Sequence, residues 1–129
     1  MAEKWRTPFI AGSVARLAYG LGAMLAPEWM AANRLAPSLR GHPDPRMNLR
    51  GFGGAQSGIA LYTLAASRTR AGARDAVRLN VLVDAFDAGV SALEIRDRGR
   101  ADYMAAGGVL VNVVALVLSL ADVAALRRA

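Results

Sequence analysis

Cysteine is absent from the 129 residues of this chain, and histidine occurs once, at His42. These absences exclude a disulfide scaffold, a thiolate nucleophile, a cysteine metal site and any cluster of histidine ligands. Aromatic residues are also scarce, at 6%, although hydrophobic residues reach 54%. Alanine and glycine supply much of the sequence, so a water-soluble fold would have few large side chains from which to build a core. Lysine is nearly missing as well: Lys4 stands alone among 16 basic residues.

What is present is arginine, giving a net charge of +6 and a pI near 11.0. Such a balance suits nucleic acid or anionic lipid, and the placement of the charges separates the two. A nucleic-acid module concentrates its arginines on one element, with aromatics to stack on bases. Here the arginines punctuate the ends of apolar segments and aromatics are few. Nucleic acid is therefore set aside, and anionic phospholipid is the expected surface partner. Arg68, Arg70, Arg74 and Arg78, in the short stretch "RTRAGARDAVR", are the expected head-group contacts.

The length allows one domain, residues 1–129. Four weakly polar segments are expected as helices at about 8–27, 51–67, 77–95 and 104–122. "MAAGGVLVNVVALVLSLA", Met104 to Ala121, has 18 residues without a formal charge, close to the roughly 20 that cross a bilayer. Lys4 and Arg6 begin the chain like a signal peptide, but Arg16 interrupts the apolar stretch and "LAPEWMA" is a poor processing site. A retained first helix is the expectation.

Polar residues inside these segments are arranged in register. Asn80, Asp84, Asp87 and Ser91 fall at i, i+4, i+7 and i+11, one narrow stripe of a helix otherwise built of Leu, Val, Ala and Phe. Ser13, Arg16 and Gly20 share a face in the first segment, Gln56 and Thr63 in the second, Asn112 and Ser119 in the fourth. A soluble bundle has a narrow apolar seam and a broad charged exterior. The reverse proportion predicts an all-α integral membrane four-helix bundle with a polar interior seam. Gly54 and Gly58 form a Gly-x-x-x-Gly pair and Ala85 and Gly89 a small-x-x-x-small pair, a spacing that plain compact packing also explains.

Four spans place both termini on one side. Lys4, Arg6, Arg68, Arg70, Arg74, Arg78, Arg127 and Arg128 then face Arg34, Arg40, Arg46, Arg50, Arg96, Arg98 and Arg100, 8 against 7. That near-tie leaves the dense short connection at residues 68–78 to decide, and it favours a bacterial plasma membrane with both termini in the cytoplasm. In the long connection, residues 28–50, Trp29 and Met30 suit a short interfacial helix. "GHPDPR" reads as a rigid turn, and His42 with Asp44 as a turn rather than a metal site.

Arg16, Gln56, Asn80, Asp84, Asp87 and Asn112 are the candidate seam or ligand-binding residues. An unpaired carboxylate in hydrocarbon costs about 2.5–3.5 kcal/mol on insertion scales. Three remedies are open: pairing with Arg16, uptake of a proton, or a cleft that admits water or a ligand head group. Two aspartates three apart also suit acid–base or divalent-metal chemistry, but nothing else in the sequence completes such a site. No catalytic residue, metal or cofactor is expected. Glu94, Asp97 and Asp102, matched by Arg96, Arg98 and Arg100, read as a solvated loop.

"RGFGGAQSGIALYTL" (residues 50–64) and "RLNVLVDAFDAGVSAL" (residues 78–93) carry a family likeness. With the overall layout, they resemble small four-helix membrane proteins of actinobacteria, grouped with DoxX-like and similar families. The resemblance implies a non-enzymatic accessory or scaffold subunit packed against a larger membrane protein or complex. The residues themselves leave open a carrier of lipid or another small molecule, proton-coupled or not, that uses Arg16, Asp84 and Asp87.

Overall fold

A computed structural model describes residues 5–31, 43–99 and 103–128, and every regular element in them is α-helical. The order is α1 (Arg6–Leu25), α2 (Pro27–Ala31), α3 (Pro43–Ala66), α4 (Arg70–Arg98) and α5 (Tyr103–Arg128). Each of the four long helices overlaps one of the four weakly polar segments, α3 starting at Pro43 within the expected 28–50 connection, and α2 contains Trp29 and Met30. Trp29 is 78% exposed.

The differences lie at helix ends. The "GHPDPR" stretch does not form a separate turn: Pro43 opens α3, and Pro45 follows in its first turn. Neither proline disrupts the helix there, because the first N–H groups have no intrahelical acceptor. His42 lies outside the described residues. At the other end of α3 only Ser67 to Thr69 separate it from α4. Thr69 caps α4, its hydroxyl accepting from the Gly72 N–H at 3.0 Å. The "RTRAGARDAVR" stretch is therefore mostly the first two turns of α4 rather than a loop. Helix α4 also runs past residue 95 and stops at Gly99, whose φ of 66° lies in the left-handed region. Arg96 and Asp97 belong to that last turn and pair at 3.0 Å on the surface, so this part of the expected loop is helical.

Helix α1 packs along α3 and α4 along α5, and contacts of α3 with α4 and of α1 with α5 join the two pairs. The α1/α3 crossing is made by Gly20 and Gly53. A Cβ on Gly20 would lie 2.8 Å from the Gly53 carbonyl oxygen, and one on Gly53 would lie 2.6 Å from the Met24 nitrogen. Backbones this close leave no room for a side chain. Gly54 and Gly58, the pair that stands out in the sequence, have nothing within 4 Å of a Cβ and face away from the crossing.

At the end shared by the start of α1 and the finish of α5, Trp5, Phe9, Ala73, Ala76, Val77 and Leu126 form the apolar cluster. Trp5 meets Phe9 edge to face at 5.8 Å. Arg70 closes this end by donating from Nη2 to the Leu126 carbonyl at 3.0 Å, where the last turn of α5 has unpaired acceptors.

Elsewhere the interior is small and polar. Ser13, Gln56, Ser57, Thr63, Asn80, Asp84 and Ser119 are buried, whereas Phe86, Val90 and Leu110 are 69, 63 and 64% exposed. The buried hydroxyls of Ser13, Ser57 and Thr63 donate to the carbonyls of Phe9, Gly53 and Ile59, each four residues earlier on its own helix. Among the described residues two helices are long and apolar enough to cross a membrane, Arg6–Leu25 and Val109–Arg127. Helices α3 and α4 reach the length but not that apolarity. Gln56, Ser57 and four glycines dilute α3, and Arg78, Asp84 and Asp87 interrupt α4.

Candidate functional site

The helical stripe Asn80, Asp84, Asp87, Ser91 turns inward on α4 and meets polar residues from the other three long helices. Arg16 of α1 donates from Nη2 to both carboxylate oxygens of Asp84, at 2.5 Å to Oδ1 and 2.7 Å to Oδ2. Ser119 of α5 donates to Asp84 Oδ2 at 2.7 Å. Arg16 Nη1 donates to Gln56 Oε1 of α3 at 3.2 Å, and Gln56 Nε2 donates onward to Asp87 Oδ2 at 3.2 Å. One connected network thus touches all four long helices. The pair at its centre is largely buried, with side-chain exposure of 13% for Arg16 and 3% for Asp84.

Two further contacts extend the seam. Thr63 lies 3.3 Å from Asn80 Oδ1. Asn112 Nδ2 donates to the Asp87 carbonyl at 2.9 Å and to Ser91 Oγ at 2.7 Å, fastening α5 to α4. All six candidate seam residues, Arg16, Gln56, Asn80, Asp84, Asp87 and Asn112, therefore lie together. The four arginines expected at the head groups divide: Arg68, Arg74 and Arg78 are exposed, whereas Arg70 is half-buried against the end of α5.

Beside the network is an open cavity of about 420 Å³, within the range of small-molecule sites. Its walls are largely apolar, from Leu110, Val114 and Leu118 of α5. The Tyr19 and Phe52 rings also line it, edge to face at 6.1 Å. Asp87 and Asp122 supply carboxyl groups to it, and both are half-buried. Asp122 has no hydrogen-bond or ion-pair partner among the described residues. It is not among the expected seam residues because it sits one residue past the uncharged Met104–Ala121 run. Its spacing from Asn112 and Ser119, i+10 and i+3, was the signal that placed it on their face.

The charge balance of this cavity is uneven. Arg16 is taken up by Asp84, and among the described residues no second cation lines the space beside Asp87 and Asp122. Asp84 and Asp87 differ in their partners: Asp84 accepts from Arg16 and Ser119, Asp87 from Gln56. No group of three or more His, Cys, Asp or Glu suited to a metal occurs among the described residues. No family model matches this chain, and searches of curated proteins and of solved structures find no match to it either.

Proposed function

We propose that this chain is a multi-pass integral membrane bundle that holds a small amphipathic molecule with a cationic amine in its polar seam. The carrying observation is the cavity itself: apolar walls, two aromatic rings, and two carboxyl groups with no ion-pair partner among the described residues once Arg16 pairs with Asp84. A cation against an aromatic face gains about 0.5–2 kcal/mol, and a carboxylate beside it fixes orientation. The inverted distribution of polarity supports lipid as the surrounding solvent. Helices α3 and α4 then cross in the company of α1 and α5, with their polar faces turned into the seam and away from hydrocarbon.

Benzyltrimethylammonium and neopentylbenzene, which has carbon in place of the nitrogen, form a matched pair of probes. The purified protein in nanodiscs is expected to bind the ammonium compound at least tenfold more tightly. Equal binding of the two, or no change on Asp87→Asn and Asp122→Asn, would sink this reading. A proton-coupled carrier is expected to release protons on binding the ammonium in weakly buffered solution, which a plain binding protein does not.

A second reading, an accessory subunit of a larger membrane assembly, draws on a different face. On α3, Gly58, Leu61, Tyr62 and Ala65 are exposed and Gly54 has open space around it. Small residues beside large ones suit a partner helix in lipid, and the resemblance to DoxX-like proteins belongs with this reading. Mild detergent extraction followed by mass spectrometry is expected to recover a stoichiometric membrane partner, lost on Gly58→Leu, if this reading holds.

A further inference from the structure

A second concavity, about 660 Å³, runs between α4 and α5 away from the polar seam. Its walls are apolar, with Val81, Leu82 and Ala85 on one side and Leu120 and Val123 on the other. Arg74, Arg78 and Arg127 stand at one end of it, all three exposed. Asp75 answers one of these charges, pairing with Arg78 at 3.1 Å. The groove thus joins a long apolar trough to an excess of positive charge.

The dimensions fit one leaflet of a bilayer. Eleven residues of α4 separate Arg74 from Ala85, about 16 Å at a rise of 1.5 Å each. Half of a hydrocarbon core is about 15 Å. With the arginines at head-group depth, the trough ends near the bilayer midplane. Guanidinium groups hold phosphate through paired N–H donors, so three at one mouth favour an anionic head group over a neutral one.

We propose that this groove binds one anionic phospholipid, its phosphate at Arg74, Arg78 and Arg127 and an acyl chain along Leu82, Ala85, Leu120 and Val123. The proposal rests on the membrane reading above and is independent of what occupies the seam. A partner helix would fill the trough but leave the arginines without an anion. A free phosphate would meet the arginines but leave the trough empty. The phospholipid satisfies both parts.

The test uses the full chain, purified in detergent, stripped of lipid and supplied with dioleoyl phosphatidylglycerol or dioleoyl phosphatidylcholine. Native mass spectrometry is expected to show one phosphatidylglycerol retained at collision energies that remove phosphatidylcholine. The variant R74Q/R78Q/R127Q is expected to lose that preference with helicity unchanged by circular dichroism. Ala85→Trp, at an exposed position, is expected to block the trough and release both lipids. Equal retention of the two lipids by the parent chain, or undiminished selectivity in the triple variant, overturns the proposal. Displacement by millimolar glycerol phosphate also overturns it, because the trough would then contribute nothing. A chain recovered from cells without detergent overturns the membrane reading instead.

Discussion

Arg16 and Asp84 satisfy one another so fully that each becomes costly without its partner. Removing one member of a buried pair typically costs about 3–5 kcal/mol, because the other is left as an uncompensated charge. Arg16→Met is therefore expected to destabilise by that amount in thermal or denaturant unfolding, and Arg16→Met with Asp84→Leu by clearly less. A loss in the double variant equal to the sum of the Arg16→Met and Asp84→Leu losses would show that the two charges are not coupled. Asp122 behaves differently, since it has no partner to strand. Asp122→Asn is expected to leave stability within about 0.5 kcal/mol while weakening binding of the ammonium probe. Arg16 was legible in the sequence as a possible counter-charge, because it is the basic residue near the middle of an apolar segment. The direct role of Ser119 was not. A serine in a helix has several possible acceptors, and only the approach of α5 brings Asp84 to 2.7 Å.

Among the elements, the α1/α3 crossing shows how a sequence motif and a contact diverge. Gly54 and Gly58 have the recognised spacing, but the crossing uses Gly20 and Gly53, which lie on different helices and form no pattern along the chain. Gly53→Ala is expected to force the helices apart at a cost of about 1–3 kcal/mol, the range for overpacking. Gly58→Ala meets open space and is expected to be neutral or stabilising by up to about 1 kcal/mol, the difference in helix propensity. Unfolding of the two variants side by side checks the assignment, and a larger loss at Gly58 would contradict it. At the start of α4, Thr69→Ala removes the cap and is expected to cost about 1 kcal/mol. Helix ends were the least legible feature, because Pro43, Pro45 and the arginines of residues 70–78 are equally at home in a turn and in the first turns of a helix.

At the scale of the whole molecule the fold places Trp5 and Leu126 together at one end, with the α3–α4 turn beside them. The Glu28–Arg46 pair, 3.7 Å, lies at the other end between α2 and α3. Both partners are well exposed, so it marks proximity more than stability. Because the chain has no cysteine, single cysteines introduced at exposed sites report topology without background. Thr7→Cys and Arg68→Cys are expected to label from one face of a membrane vesicle, and Met47→Cys and Asp97→Cys from the other. Labelling of all four from one face would contradict the four crossings proposed above.

Local sequence by itself determined the four long helices and the polar stripe on α4, because a helix repeats every 3.6 residues and the stripe is written in that period. It also determined that a carboxylate in such a setting needs a partner, a proton or water. Only the tertiary structure decided which of these each aspartate receives. Asp84 is paired because α1 and α5 converge on it, whereas Asp87 and Asp122 face the cavity with no ion-pair partner among the described residues. The difference arises from interhelical geometry, set by the Gly20–Gly53 approach and the Asn112 fastening, contacts that no single helix encodes.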